Sequence, residues 1–195
     1  MPVTYINRKE LTYYLHIGKT STGKDKYYFS TKSDGTLAET IPDGYEIYEN
    51  PNAQVFLRII QPKLITDMER TVVETGMEKY SKEKDYKIDI KKEIITIYIA
   101  DQDKNILSDL VQSALPNKSK ETIAKIFERE ITYSPMLRFI LTDEEKREFI
   151  TQRYSFIGTT DDWIYIGRPD SLENLVKKFV KHLGQESLYD FLPSM

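Results

Sequence analysis

The sequence predicts an α+β protein, with a small N-terminal antiparallel β meander followed by a mixed α+β domain. In residues 13–58, short runs rich in Tyr, Phe, Ile and Val alternate with clusters of Gly, Pro, Asn, Asp and Ser, which is the pattern of strands joined by turns. Beyond residue 62, apolar residues at helical spacing alternate with further strand-like runs. The predicted domains are therefore residues 1–62 and residues 63–195, the second ending in a long amphipathic helix.

Four runs make up the predicted meander. They are Tyr13–Ile17, Lys26–Ser30, Gly44–Tyr48 and Gln54–Arg58. Pro62 closes the last strand, because proline has no N–H to give to a strand ladder and restricts the residue before it. We expect no helix longer than about two turns in this part of the chain.

The second domain begins with a helix from Thr66 to about Tyr80. Thr66 and Glu69 have the spacing of a capping box, in which each side chain accepts from the other residue's backbone N–H. Gly76 lies inside this helix and weakens it by about 1 kcal/mol relative to alanine. The remaining predicted elements, in order, are strands 86–90 and 94–99, amphipathic segments 106–115 and 119–131, strand 136–141, a capped helix 142–150, strands 154–157 and 163–166, helix 171–183 with Asp170 as its cap, and a short helix 185–192.

Composition and charge exclude several classes of protein. The chain has no cysteine, which excludes disulfides, thiolate metal sites and a cysteine nucleophile and fits a reducing compartment. No stretch reaches the roughly 18 apolar residues that span a bilayer, and the N-terminus lacks an apolar signal core. A net charge of −3 lacks the strong basic field typical of proteins that bind duplex DNA. We therefore expect a cytoplasmic protein with no membrane contact.

Residues 18–25 nearly match the phosphate-binding loop G-x-x-x-x-G-K-[ST], but two physical requirements fail. The last position must bring a hydroxyl to the metal, and here it is Asp25, whose charge repels phosphate. The loop must also open a helix, whose N-terminal amides hold the phosphates, whereas the strand-like run Lys26–Ser30 follows. The sequence therefore predicts a hairpin turn at this position.

A second candidate for chemistry follows the apolar run Ile94–Ile99. Asp101, Asp103 and Asn105 resemble the start of a calcium loop, but Ile106 and Gln112 stand where glycine and a bidentate glutamate are required. Two aspartates after a central strand also suit Mg²⁺ in phosphoryl transfer. The simpler interpretation is a polar turn that caps the next helix. We predict no cofactor, and a Mg²⁺ or Ca²⁺ site at Asp101 and Asp103 is the alternative.

The meander carries more aromatic rings than one face of four short strands can bury. Adjacent rings such as those of Tyr27 and Tyr28 must point to opposite faces, so some belong to an outer face near cations. Such a face suits either a single-stranded nucleic acid or a protein, and the alternative is that the second domain covers it. The predicted contact residues are Arg8, Tyr13, Lys24, Lys26, Tyr27 and Tyr28. The predicted function is a non-enzymatic intracellular binding or regulatory module, and the alternative is a metal-dependent phosphoesterase centred on Asp101 and Asp103.

Overall fold

The fold is α+β, as the sequence predicts, and the described residues form antiparallel sheets and two complete α-helices. The computed structural model describes residues 1–102, 119, 122, 129–157 and 160–191. The chain divides into two compact units, one of residues 1–60 and 104–131 and the other of residues 61–103 and 132–195. The separation of 1–62 and 63–195 into domains stays a prediction, because contacts within one structure do not establish independent folding.

The first unit contains the predicted meander as a three-stranded antiparallel sheet and a separate two-stranded hairpin. No helix occurs in residues 1–62, all of which the structure describes. The strands of the sheet, in spatial order, are β1 (Thr4–Ile6), β2 (Thr12–Lys19) and β3 (Asp25–Ser30). The hairpin consists of β4 (Tyr45–Glu49) and β5 (Val55–Ile59).

The four predicted runs thus lie in two sheets, whereas the sequence suggested one continuous meander. The reason is that both edges of β2 are occupied. One edge pairs with β3 along its length, and the other pairs with β1 and then with residues 36–38. The Ile17 amide donates to the Thr36 carbonyl at 2.9 Å, and the Ala38 amide donates to the Leu15 carbonyl at 2.8 Å. Strand β4 therefore has no free backbone edge of β2 to join.

The second unit is a six-stranded antiparallel sheet with helices against one face. Its strands are β6 (Tyr86–Lys91), β7 (Ile94–Ala100), β8 (Tyr133–Asp143), β9 (Glu148–Ile157), β10 (Thr160–Tyr165) and β11 (Asp170–Ser171). The sheet order is β10-β9-β8-β7-β6, and the short β11 also pairs with β9. The pairing of Trp163 with Tyr154 confirms the predicted hairpin of the last two long strands.

Two helices and the inner face of this sheet enclose the main core. Helix α1 (Asp67–Tyr80) begins with the predicted capping box, because the Glu69 amide donates to Thr66 Oγ1 at 3.2 Å and the Thr66 amide donates to Glu69 Oε2 at 2.8 Å. Helix α2 (Leu172–Phe179) continues as a 3₁₀ turn, Val180–His182. The buried core side chains include Val73 and Met77 of α1, Leu175, Val176 and Phe179 of α2, and Ile95, Ile97, Leu137, Phe139 and Phe149 of the sheet.

The predicted helix over residues 142–150 is wrong, and a turn followed by β9 lies there. The Asp143 side chain accepts from the amides of Glu145 and Lys146, at 3.0 and 2.9 Å, and so closes a turn. Arg147 then adopts a left-handed backbone with φ of 53°, and β9 begins one residue later. The Thr142 hydroxyl donates to the Glu148 carbonyl across the hairpin, so it does not cap a helix.

The end of the chain shows two smaller differences from the sequence prediction. Ser171 caps α2 in place of Asp170, with its hydroxyl accepting from the Asn174 amide. The expected last helix is reduced to the 3₁₀ turn Glu186–Leu188. Gly184, after the 3₁₀ turn Val180–His182, has a left-handed backbone with φ of 69°. The two predicted amphipathic segments at 106–115 and 119–131 fall almost entirely outside the described residues.

Arg147 ties the turn before β9 to the start of α1, and this contact gives a pH-dependent prediction. Its Nε and Nη2 donate to the two carboxylate oxygens of Glu69, at 2.9 and 2.6 Å, and Nη2 also donates to the Leu64 carbonyl. Partial burial opposes ionisation of Glu69, but hydrogen bonds from Arg147 and Thr66 outweigh it and hold the pKa of this carboxyl below its ordinary value. The charged form of Glu69 therefore stabilises the folded state.

We expect Glu69→Gln to lower the free energy of unfolding by about 1–3 kcal/mol at pH 7. Because the folded-state pKa lies below the unfolded value of about 4.3, the contribution is complete above that value and disappears as the pH falls through the folded-state pKa. Urea unfolding of wild type and variant at pH 7 and pH 3 checks this. A difference of equal size at both pH values would contradict a role for the Glu69 charge.

Candidate functional site

The three-stranded sheet has two faces of different character. Residues paired across antiparallel strands share a face, so Tyr28 lies on the same face as its partner His16, and Lys26 lies there opposite Gly18. On the other face, Leu15 is fully buried and its neighbours are half-buried. We define the Tyr28 face as Ile6, Thr12, Tyr14, His16, Lys26 and Tyr28. Ile6 and Tyr28 of this face are 67% and 44% exposed.

His16 holds the Tyr28 ring in a fixed position. The two rings stack with centroids 5.1 Å apart and planes inclined by 12°. His16 is itself buried, and its Nε2 lies 2.9 Å from the Lys32 carbonyl oxygen. Because a carbonyl oxygen only accepts, Nε2 must carry the proton that forms this bond. Tyr28 therefore presents one side to solvent while its other side is supported by an anchored imidazole.

Gly18 lies beside the same ring. A Cβ built at Gly18 would lie 3.4 Å from Tyr28 Cε1 and 3.7 Å from the Lys26 carbonyl oxygen, which is ordinary van der Waals contact. The ring of Tyr28 therefore packs closely over the backbone of its partner strand.

The hairpin between β2 and β3 places cations at one end of the Tyr28 face. Lys24 and Lys26 are exposed, whereas Lys19 forms an ion pair with Asp25. The turn is closed by backbone hydrogen bonds from Thr20 to the Lys24 carbonyl and from Gly23 to the Thr20 carbonyl. Gly23 has φ of 81°, a conformation that favours glycine. The prediction that residues 18–25 form a hairpin turn is confirmed.

The predicted contact residues do not all lie together. Tyr28 and Lys26 share one face with Lys24 beside them, but Tyr13 and Tyr27 belong to the opposite face. Arg8 is engaged elsewhere, because its Nε donates to Glu49 Oε1 at 2.5 Å and its Nη2 donates to the Asn50 carbonyl. The surface suggested by the sequence therefore reduces to the Tyr28 face and its lysines.

Glu49 shows why Arg8 serves the structure of the first unit. The Tyr5 hydroxyl donates to its Oε2 at 2.9 Å, opposite the contact from Arg8. Burial opposes ionisation of Glu49, but the hydrogen bonds from Arg8 and Tyr5 prevail and lower its pKa. Two strands of different sheets, β1 and β4, are connected through this carboxylate.

A second aromatic cluster lies on the hairpin of β4 and β5, and the sequence prediction did not include it in the site. The Arg58 guanidinium lies 4.1 Å from the centroid of the Tyr48 ring and 2.8 Å from Glu46, while Tyr48 and Phe56 stack at 6.3 Å. Phe56 is 45% exposed. The sequence does contain an indication of this cluster. Glu46 and Tyr48 are two residues apart, as are Phe56 and Arg58, and this spacing in paired strands places all four side chains on one face.

The structure describes only one of the two predicted metal ligands. Asp101 is exposed and its Oδ2 accepts from the Thr132 hydroxyl at 2.6 Å, while Asp103 lies outside the described residues. Within residues 1–102, 129–157 and 160–191, no group of three or more His, Asp or Glu side chains is arranged to hold a metal ion. The Mg²⁺ or Ca²⁺ site and the phosphoesterase alternative both stay predictions.

The metal prediction is tested by thermal unfolding. If Asp101 serves only as a turn residue, millimolar Mg²⁺ or Ca²⁺ should leave Tm essentially unchanged. A bound ion would instead stabilise by mass action, by about 2.7 kcal/mol at one hundred times its Kd. A rise of several degrees in wild type that is lost in Asp101→Asn would support the metal site and the enzyme alternative.

Comparison with known proteins found no family model that matches the sequence and no significantly similar curated protein or solved structure. Among the residues that the structure describes, no helix has the length and apolar character needed to cross a bilayer. The side chains described above are therefore the basis for the function proposed below.

Proposed function

We propose that this chain is a non-enzymatic binding module and that the Tyr28 face contacts a protein partner. The observation that carries the proposal is the half-exposed Tyr28 ring stacked on the buried His16. An aromatic ring that is already ordered loses little conformational freedom on binding, so its burial contributes to affinity with a small entropic cost. Since the chain lacks cysteine, we further propose that it acts in a reducing compartment, the cytoplasm.

Exposed apolar side chains favour a protein partner over a nucleic acid. Large apolar side chains exposed to solvent are concentrated in residues 1–60 and are fewer in the other described residues, where they include Met68, Tyr165 and Tyr189. Within residues 1–60 they are Ile6, Leu11, Tyr28, Tyr45, Phe56, Ile59 and Ile60, besides Met1. Two of them, Ile6 and Tyr28, belong to the Tyr28 face, and exposed apolar side chains of this kind are typical of protein contact surfaces.

The charge of the same region points the same way. Residues 1–66 carry 8 Lys or Arg and 7 Asp or Glu, a net charge of +1. A single-stranded nucleic acid would require a cationic groove along several phosphates, and the charge here is nearly balanced. Lys24 and Lys26 instead suit one or two carboxylates. We therefore propose a partner segment with an apolar or aromatic anchor for Tyr28 and flanking Asp or Glu residues.

The test is capture of partners by the tagged full chain in its native host, with and without nuclease. Tyr28→Ala should reduce the captured amount of a specific protein at least about tenfold, which corresponds to 1.4 kcal/mol and is typical of an interface hot spot. Tyr45→Ala is the matched control, since this tyrosine is 39% exposed but lies on the other sheet. It should leave capture unchanged.

A titration with a short single-stranded oligonucleotide at two salt concentrations separates the other class of ligand. Weak binding to both wild type and Tyr28→Ala is the expected result. Tight binding that falls steeply with salt, depends on Tyr28 and accompanies nuclease-sensitive capture would contradict the protein partner and assign the face to nucleic acid. Capture that is the same for wild type and Tyr28→Ala would overturn the proposed use of this face.

A further inference from the structure

Strand β9 places polar side chains on the face of the large sheet that faces the helices. Alternate residues of a strand share a face, so Thr151, Arg153 and Ser155 follow the core residue Phe149. Their pairing partners on β8 confirm this side, because Arg153 lies opposite the buried Leu137 and Thr151 lies opposite the buried Phe139. Thr151, Arg153 and Ser155 are 0%, 4% and 3% exposed.

Four buried polar atoms of these side chains lack hydrogen-bond partners among the described residues. Among the described residues, none bonds to Thr151 Oγ1, to Nε or Nη1 of Arg153, or to Ser155 Oγ, and each of these atoms is inaccessible to solvent. A buried hydroxyl left unsatisfied costs about 1–3 kcal/mol, and a buried charge costs more. The Arg153 guanidinium is such a buried charge.

Neighbouring groups compensate the Arg153 charge only in part. The Tyr189 ring centroid lies 5.0 Å from the guanidinium carbon. A contact with a ring face attracts the cation only weakly and supplies no oxygen atom that accepts a hydrogen bond. Asp162 is the carboxylate closest in strand register, opposite Ser155. Its Oδ1 accepts from the Trp163 amide, and no described carboxylate forms an ion pair with Arg153.

The same three residues match the recognition of an oxyanion. A guanidinium binds the two oxygens of a carboxylate or phosphate in parallel through Nη2 together with either Nε or Nη1, and the flanking hydroxyls can donate to oxygens that this pair leaves free. Burial strengthens these contacts because little water competes for them. Tyr189, whose ring lies against the Arg153 guanidinium, is 38% exposed in the turn after Leu188.

We propose that Arg153, with Thr151 and Ser155, forms a binding site for a small oxyanion, a carboxylate or a phosphate, inside the second unit. The proposal is independent of the Tyr28 face, which belongs to the first unit. Occupation of the site would stabilise the folded second unit, so the anion would act as a ligand that sets the stability of this sheet.

Thermal unfolding of the full chain at constant ionic strength tests the site, with inorganic phosphate and acetate as separate probes against a chloride background. Wild type should show a saturable rise of several degrees in Tm with at least one probe. A response to phosphate alone assigns a phosphate ligand, and a response to acetate assigns a carboxylate. Phosphate also stabilises proteins without binding, by exclusion from their surface, but that increment does not saturate.

Arg153→Met removes the charge and keeps the length of the side chain, so it should abolish the saturable rise. In chloride alone it should melt no lower than wild type, since an apolar side chain replaces an uncompensated buried cation. Arg168→Met is the matched control, because Arg168 is exposed, and it should keep the full response.

Thr151→Val with Ser155→Ala provides a second test that leaves the cation in place. Loss of both hydroxyl donors should weaken the apparent affinity about tenfold, measured by calorimetric titration with the responding probe. The proposal is overturned if wild type shows no saturable response to either probe. It is also overturned if the response survives in Arg153→Met or, where that variant does not fold, is unchanged in the double hydroxyl variant.

Discussion

Phe179→Ala is expected to lower the free energy of unfolding by about 3–5 kcal/mol, the cost of removing a fully buried aromatic ring from a packed core. Phe179 is 0% exposed and its ring meets Phe191 edge to face, with centroids 5.0 Å apart. It also fills the space beside Gly167, where a Cβ would come within 2.9 Å of its Cζ. The groups around the Phe179 ring are therefore closely packed, and they cannot easily move into the cavity that Phe179→Ala would leave.

Phe56→Ala is the matched control for this substitution. Phe56 is 45% exposed, so its removal should cost less than about 1 kcal/mol. Urea unfolding of both variants measures the difference. Equal losses would contradict the assignment of Phe179 to the core and of Phe56 to the surface.

Gly76→Ala should also destabilise the protein, by about 1–3 kcal/mol. A Cβ at Gly76 of α1 would lie 2.0 Å from Cγ1 of Val176 on α2, far inside van der Waals contact. Val176 cannot easily turn away, because a β-branched side chain in a helix is held in one rotamer. Helix propensity alone predicts the reverse, a gain of about 1 kcal/mol. The sign of the effect therefore decides between local propensity and close helix packing.

A double-mutant cycle isolates this contact. Val176→Ala alone should cost stability through the cavity it leaves, but Gly76→Ala combined with Val176→Ala should cost less than the sum of the two single changes. Thr75→Ala, on the exposed side of the same helix, is the control and should be close to neutral. Additive losses in the cycle would show that Gly76 and Val176 are not in contact.

The strands rich in aromatic residues were predictable from the sequence because clusters of turn-forming residues separate them. The runs at Tyr13–Ile17 and Lys26–Ser30 form β2 and β3, and Gly23 adopts the left-handed conformation that its turn requires. Sheet membership was not predictable. It depends on residues 36–38, which occupy the remaining edge of β2 through backbone hydrogen bonds that any side chain allows.

The two capping-box patterns show a second limit of local sequence. Both Thr66 and Thr142 are followed three residues later by glutamate, yet only Thr66 begins a helix. Helical apolar spacing follows Thr66, whereas a strand begins at Glu148, three residues after Glu145. Thr151, Arg153 and Ser155 occupy the inward positions of that strand, so polar residues conceal the apolar alternation that would have indicated it.

The arrangement of the aromatic side chains was predictable only in part, for the same kind of reason. The sequence required adjacent tyrosines to point apart, but it did not indicate which of Tyr27 and Tyr28 faces solvent. The stack with His16 joins positions on two strands, so it depends on strand register. The sequence did not indicate that Arg153 is buried, because a single arginine is usually a surface residue.

The central claim, that Tyr28 forms a binding surface, is tested most directly by tyrosine footprinting of the free protein and of the captured complex. Quantitative chemical modification followed by mass spectrometry reads Tyr28 and Tyr45 in the same sample, and the two side chains are 44% and 39% exposed. The account predicts that both are modified in the free protein and that the partner protects Tyr28 several-fold while Tyr45 reacts as before. Protection of Tyr45 with Tyr28 still reactive would contradict it.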